Sequence, residues 1–540
     1  MSTSAGPAGR RADEVDAVLR EEDAPTDAAV VLPTREDRLA RAASPVVGGP
    51  AGRRVWTHRR PARTALAVGS ALGLLVLAGA VLLRQHCRET LWATPGQYVH
   101  ACYSDVPALF VGRELAGVLP YLQRASGTDF LDSPFGLGWL LWGLGRVLGV
   151  PGGADGGRAV FDATVVLGAA ALVVLVAAVA VLAGRRPFDA VLVGASPVVL
   201  VCALVGVPLV PAALALSGLW ASARARPITA GLLLGLAALL APLAGLSVGG
   251  ALLLVRWRRR RDDAAARAAR PAPSLAAGPG DDLDDEQEPE APSLDPELRT
   301  ALAAAVVWFL GGAPVLLQST AVWLDAVSAR LLAGPGYGSA WLLLDLTGVP
   351  LGAGATTAAS LTLLALAVAG VTALVLRAPR PPRVPVVALL LLLSALLTAP
   401  GLPPQVAVLV LPLAVLSLPR WRLLLLWGAA EAAAATGTWL YIYGLTVTDR
   451  GLPPWAYALL LVARLTALVV LATRAVDVTL DPAKDSVRLP HSAPRLAQDD
   501  PALPLARRPA GDGDGPEGEG GGRVEGRLPA AAPPPRVHYP

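Results

Sequence analysis

A chain of 540 residues with 54% hydrophobic residues, a mean hydropathy of +0.52 and repeated long apolar runs excludes a soluble fold and points to a polytopic helical membrane protein. Its formal net charge of +4 is spread over loops and tails without a basic patch interleaved with aromatics, so nucleic acid is excluded as a partner. No Gly-x4-Gly-Lys phosphate loop and no His/Cys metal spacing occurs, which argues against an ATP-driven pump and assigns no metal ligand.

Residues 1–57 are rich in Ala, Arg, Asp and Pro without an apolar period and are expected to form a disordered cytoplasmic tail. The first apolar run, Thr64–Leu83, follows Arg59-Arg60-Pro61-Ala62-Arg63. Its start is therefore expected in the cytoplasm, and the run acts as a signal anchor, not as a cleaved signal peptide. It opens a first membrane block, 58–255, whose outer loop, 84–133, contains Cys87 and Cys102. Their spacing suits a disulfide in an oxidising exterior; two free thiols are the alternative. Cys202, inside an apolar run, reads as a small core residue.

Further spans are expected at Asp162–Ala183, Ala190–Val205, Pro208–Ser222, Ile228–Leu254, Thr300–Leu317, Ala355–Leu376, Pro385–Ala399, Pro404–Leu418, Leu423–Tyr443 and Trp455–Thr473. The result is an all-α membrane fold of about 11–13 transmembrane or re-entrant helices. Two arrangements differ in where they put the arginines. In the preferred one, Pro134–Val150 re-enters and Ile228–Leu254 is two short helices bent near Pro242. Arg185-Arg186, Arg224, Arg226, Arg256–Arg261, Arg377–Arg383 and Arg420 then lie inside with both termini. In the other, Pro134–Val150 crosses and Ile228–Leu254 is one helix, which puts Arg185 and Arg224 outside.

The basic run Arg256–Arg261 followed by the acidic run Asp281–Glu297 marks 256–298 as a disordered cytoplasmic loop before a second membrane block, 299–476. Residues 477–540, rich in Pro, Gly and charge, are expected to be a disordered cytoplasmic tail. Glu431 and Arg464 stand at matching depth on adjacent antiparallel spans and are expected to form an intramembrane ion pair, because an unpaired charge there costs about 2.5–3.5 kcal/mol. A proton or substrate relay is the alternative. Trp139, Trp142, Trp323, Trp341, Trp439, Tyr441, Tyr443 and Trp455 suit an aromatic belt at the outer face.

Cys102-Tyr103-Ser104-Asp105, directly after the first span, is the most informative motif. A carboxylate at the bilayer surface takes a proton from a hydroxyl within hydrogen-bond reach, and partial burial raises its pKa toward the working range. The alternative is that Asp105 caps a helix beginning at Val106-Pro107. Asp132, ahead of Pro134, is a second candidate base and Asp129 a third.

The same motif, with Ala195-Ser196-Pro197, the run Arg226–Leu236, Gly338-Ser339-Ala340-Trp341, Pro404-Gln405 and Leu411–Val415 followed by Pro419-Arg420-Trp421-Arg422, resembles in order the actinobacterial integral-membrane glycosyltransferases of the GT-C superfamily. Within them it looks like the polyprenyl-phosphate-mannose-dependent mannosyltransferases. The resemblance implies transfer of a sugar, mannose, from a polyprenyl phosphate to a lipid or polysaccharide acceptor at the outer face of the cell membrane. Asp105 would be the base, and Tyr103, Ser104 and Gln405 would lie at the substrate. Apart from the resemblance, Arg113 and Arg124 are candidate replacement cations, with solvated loop arginines or anionic-lipid contacts as the alternative, and Trp341 or Trp323 are candidates to stack on a sugar. No definite cofactor is implied, and a divalent cation is left open.

Four polar motifs of that family are altered. Asn-Trp-Asp, Lys-Leu-Tyr-Pro, Arg-Gly-Ala-Asp and Lys-x-Tyr-Ser-Pro-Gln are replaced by Gly206-Val207-Pro208, Ala241-Pro242-Leu243-Ala244, Ala333-Gly334-Pro335-Gly336 and Pro400–Gln405. Each hydrogen bond to a charged group contributes about 1.5–3 kcal/mol, so losing two lysines and an arginine weakens capture of a phosphate-bearing donor. Three readings follow. An active transferase predicts Asp105 accessible beside a cavity open to the membrane, a degenerate scaffold an apolar or collapsed cavity, and a transporter a polar path to Glu431 and Arg464.

Overall fold

The computed structural model describes residues 60–123, 131, 133–184, 186–269, 295–332, 334–447, 449–485 and 487. The predicted tail 1–57, Arg124, Asp129 and Asp132, the acidic run up to residue 294 and the tail from 488 onward lie outside them. Among the described residues the chain is all-α, and six helices are long and apolar enough to cross a membrane.

Helix α1 (Arg60–Leu83) is followed by the short α2 (Gln85–Glu89), α3 (Gly96–Val99) and α4 (Asp105–Gly112), by α5 (Phe135–Leu148) and by the long α6 (Ala154–Leu182). One apolar run then forms α7 (Ala190–Gly194) and α8 (Pro197–Cys202), and α9 (Leu209–Ala223), α10 (Pro227–Leu240) and α11 (Pro242–Ala268) complete the first half. The second half comprises α12 (Pro296–Gln318), α13 (Thr320–Leu332), α14 (Ala340–Leu346), α15 (Ala353–Arg377), α16 (Val384–Thr398), α17 (Ala407–Ser417), α18 (Trp421–Thr446) and α19 (Pro454–Leu480).

Proline decides the doubtful segments. Pro242 has no N–H to continue α10, so the chain turns at Ala241 and α11 returns antiparallel, with Gly245 against Leu234 and Ala238. Helix α5 does not traverse the bundle. Its Trp139 indole donates to the Gly311 carbonyl at 3.0 Å and Gly136 abuts Leu239 and Leu240, so it lies beside the far ends of α10 and α12.

One end of the bundle gathers the arginines. Arg256 donates to Ser222 of α9 at 2.7 Å, and Arg258 to the carbonyls of Val375 and Ala378 beyond α15. Arg260 pairs with Asp295 and Glu297 at the start of α12, and Asp189, paired with Arg186, accepts from Trp421 at the start of α18. The helix termini here present unpaired carbonyls that attract cations. From this end the chain makes its traverses as α1, α6, α7 with α8, α9, α10, α11, α12, α15, α16, α17, α18 and α19.

Ordered structure extends past two predicted boundaries. Helix α11 continues to Ala268, beyond the expected loop start at 256, and α19 continues past 476 to Leu480, after which Asp485 binds Arg383 at 2.9 Å. Arg383 is 3% exposed and also donates to the Leu416 and Ser417 carbonyls, and a guanidinium this buried requires a counter-charge.

Close helix approaches rest on glycine. Gly194 meets Gly69 and Gly73 of α1, and Gly231 and Gly235 of α10 meet Thr300 and Ala304 of α12, at separations that leave no room for a Cβ. The lengths of the helices then shape the disulfide end, opposite the arginines. Helices α18 and α19, of 26 and 27 residues, rise about 40 Å, whereas α16 and the fully buried α17, of 15 and 11 residues, rise about 22 and 16 Å. All share the arginine end, so the short ones stop early. Their connection, 399–406, and that between α8 and α9, 203–208, form a recessed floor.

The Glu431–Arg464 pair fastens that floor. Both residues are 1% exposed, Arg464 Nε lies 2.8 Å from Glu431 Oε2, and its Nη1 donates to the Leu402 carbonyl at 2.7 Å. Glu431→Ala leaves a buried, uncompensated guanidinium and is expected to destabilise the protein by about 3–5 kcal/mol, with Glu431→Leu/Arg464→Met recovering most of the loss. Denaturation of the purified protein in detergent checks this, and a Glu431→Ala protein as stable as wild type would refute it.

Candidate functional site

The segment leading to Asp105 is tied down before the carboxylate is reached. Cys87 and Cys102 form a disulfide, and the Trp92 indole donates to the Cys102 carbonyl at 3.2 Å. Arg88 binds Asp162 of α6 through two hydrogen bonds, 2.8 and 2.7 Å. Ser104 supplies the N-cap of α4: its Oγ accepts from the Val106 N–H at 3.4 Å and donates to the Val205 carbonyl at 3.3 Å. Capping is thus done by Ser104, which corrects the alternative that gave it to Asp105. A serine in extended backbone before the first helical residue suits the N-cap, whereas Asp105 is already helical.

Freed of the cap, Asp105 reaches the floor. Its N–H donates to the Val205 carbonyl at 2.6 Å, and its Oδ2 accepts from Gln405 Nε2 at 2.9 Å. Gln405 sits in a one-turn 3-10 helix, Pro404–Val406, and its Oε1 is buried without a partner among the described residues. The Tyr103 phenol feels the same carboxylate. Burial, and next the charge of Asp105, hold its pKa far above the ordinary phenol value, so it stays a protonated donor.

The floor loop is closed by backbone pairing. The Gly336 N–H donates to the Pro400 carbonyl at 2.8 Å and the Leu402 N–H to the Tyr337 carbonyl at 3.0 Å. Gly338, at φ 81°, is crowded by the Leu402 carbonyl and Arg464 and donates its N–H to the Tyr457 hydroxyl at 3.1 Å.

Aromatic rings surround this point. Tyr103 lies 4.7 Å from Trp439 between ring centroids, Tyr98 lies 6.0 Å from Tyr103 and 6.5 Å from Trp439, and Tyr337 meets Tyr441 at 6.4 Å. Burial raises the Tyr98 phenol pKa, and the neighbouring Tyr337 adds to it. Sequence reasoning missed Tyr98 and Tyr337 and placed Trp439 only in a belt. Nothing in their spacing links residues this far apart in the chain.

Of the expected site residues, Tyr103, Ser104, Asp105 and Gln405 come together. Arg113 closes the opposite end of α4, about 12 Å along the helix from Asp105. Trp341 is buried, 8% exposed, and gives its indole N–H to the Thr398 carbonyl at 3.1 Å. Trp323 sits in a separate aromatic cluster with Phe135 and Trp308. A cleft of about 620 Å³ opens beyond the far end of α4, lined by Phe110, Val111, Glu114 and Gly152 but not by Asp105.

No group of three His, Cys, Asp or Glu side chains that would hold a metal occurs among the described residues, which do not include Asp129 and Asp132. Comparison of the chain with protein-family models, with curated proteins and with solved structures returns no match.

The disulfide closes a loop with a sequence separation of 15 residues, for which chain entropy predicts about 3 kcal/mol of stabilisation. Cys87→Ser/Cys102→Ser is expected to lower the unfolding free energy by roughly that amount. Thiol labelling of the denatured, unreduced wild type should find one cysteine, Cys202; labelling of all three would refute the crosslink.

Proposed function

We propose that this chain is a membrane glycosyltransferase of the GT-C kind. It would transfer a sugar, mannose, from a polyprenyl phosphate to a cell-envelope acceptor, with Asp105 as the base. Its place would be the plasma membrane, multi-pass, with the arginine-rich end and both tails cytoplasmic; the gathering of arginines at one end and of the disulfide at the other supports that orientation.

The observation that carries the reading is the 2.9 Å bond between Asp105 and Gln405, which brings a half-buried carboxylate from the first membrane block onto the part of the floor built by the second. Gln405 Nε2 donates to Asp105 Oδ2 and so orients the carboxylate at the floor, where an acceptor hydroxyl would meet it. In the proposed step the acceptor oxygen attacks the anomeric carbon, its proton passes to Asp105, and the sugar–phosphate bond breaks to release polyprenyl phosphate.

A second reading, a catalytically degenerate scaffold, is favoured by the charges. Arg464 lies under the floor but is neutralised by Glu431, and Arg113 sits at the other end of α4, so no cation described here takes over from those replaced in the outer motifs. The buried pair gives no support to a transporter.

Membranes containing the wild-type protein or Asp105→Asn, supplied with radiolabelled polyprenyl-phosphate mannose, separate these readings. Asp105→Asn is expected to lose about 10²-fold or more of the transfer, the usual contribution of a general base. Absence of transfer by abundant, folded wild type, with other polyprenyl-phosphate sugars also inert, would favour the scaffold.

A further inference from the structure

Two histidines meet on the exposed side of the outer segment. The His86 and His100 rings lie 3.8 Å apart between centroids at an interplanar angle of 45°, and both residues are exposed. The chain brings them together by its crosslink. His86 directly precedes Cys87 on α2, and His100 ends α3 two residues ahead of Cys102, so the disulfide that joins the cysteines also gathers the imidazoles. The His100 N–H donates to the Gly96 carbonyl at 3.1 Å, and the His86 carbonyl accepts from the Thr90 N–H at 2.9 Å, which fixes both main-chain positions. Gly96 brings no side chain over the Nε2 end of the His86 ring, which lies 3.9 Å from where a Cβ would stand. Their separation in the chain matches no metal-binding motif, so the pair is invisible in the sequence.

The surroundings suit a cation. Arg88, the neighbouring positive charge on α2, is turned to Asp162 through hydrogen bonds of 2.8 and 2.7 Å and is neutralised there. Glu89, one helical turn from His86, is exposed and holds the Gln85 amide at 2.8 Å. Imidazole nitrogens suit zinc, nickel and copper, whereas magnesium and calcium take oxygen ligands. With metal–nitrogen bonds of about 2.0–2.1 Å, a tetrahedral angle sets two bound nitrogens about 3.4 Å apart. Rings already in contact and tilted toward each other reach that spacing by a small turn about exposed side-chain bonds, and water completes the coordination.

We propose that His86 and His100 form a two-histidine site for a divalent transition-metal ion of the zinc, nickel and copper class at the disulfide end of the protein. The bound ion cross-links α2 to α3, whose Tyr98 approaches Tyr103 and Trp439, and so tightens the segment that leads to Asp105. Binding there requires no sugar transfer, and it stands or falls separately from the transfer reading.

Calorimetric titration of Ni²⁺ and Zn²⁺ into the full-length protein, purified in detergent through a tag that contains no histidine, tests the site. His86→Ala and His100→Ala should each weaken binding of the ion by at least about 10- to 100-fold, the loss that follows even from removing an outer partner of a metal ligand. Electron paramagnetic resonance of the Cu²⁺-loaded wild type should show coupling to two imidazole nitrogens. Both side chains are exposed, so the variants should fold, and labelling of a single thiol in the denatured, unreduced proteins verifies that the disulfide has formed. Wild-type binding weaker than about 1 mM, or equally tight binding of Mg²⁺, would overturn the site. Binding retained by either single variant would also overturn it, and would assign the ion to the remaining histidines, His58, His491 and His538.

Discussion

Backbone that leaves the helix within a membrane bundle must find partners for every N–H and C=O, and this requirement governs the construction of the recessed floor. Between Pro400 and Pro404 three residues are proline and bring no N–H to satisfy. The Leu402 N–H goes to Tyr337, its carbonyl to Arg464, and the Pro400 carbonyl to Gly336. The other half of the floor is served from the first outer segment: the Val201 carbonyl accepts from Arg84, and the Val205 carbonyl from Ser104 and from the Asp105 N–H. Asp105 is held where it is because it stands in a segment whose first duty is to satisfy the end of α8.

Several motifs that carry the family resemblance have local reasons of this kind. Ser196 caps α8 by accepting from the Val198 N–H at 3.2 Å, with Pro197 in the first turn. Gly231 and Gly235 are needed for contact with α12, and Gly338 for passage between Leu402 and Arg464. Such motifs have structural reasons in this chain and do not by themselves indicate chemistry. What bears on chemistry is Asp105, Gln405 and the adjoining rings of Tyr98, Tyr103 and Trp439.

Much of the architecture was legible in the sequence because its signals are local. Apolar runs gave the traverses, Pro242 the hairpin of α10 and α11, and the arginine distribution the shared end of Arg186, Arg256 and Arg383. The Glu431–Arg464 pair followed from the cost of a lone charge in an apolar run. The site was only half legible. Asp105 stood out as a carboxylate beside a span, but its bond to Gln405 and the convergence of Tyr98 and Tyr103 with Trp439 depend on unequal helix lengths in two separate blocks, which no local pattern encodes. The end of the second block was misplaced for the same reason: Asp485 is ordered by Arg383, 102 residues away.

The two halves of the site also carry a consequence for biosynthesis. Asp105 and Gln405 are separated by 300 residues. At a translation rate of about 5–20 residues per second, the ribosome needs roughly 15–60 s to make the second partner after the first. During that interval the segment that carries the carboxylate is complete, with both cysteines of its disulfide, yet it lacks the part of the floor that brings Gln405. A nascent chain stalled before α16 would hold the Asp105 segment and no assembled site, so synthesis of the last helices sets the moment at which the site is completed.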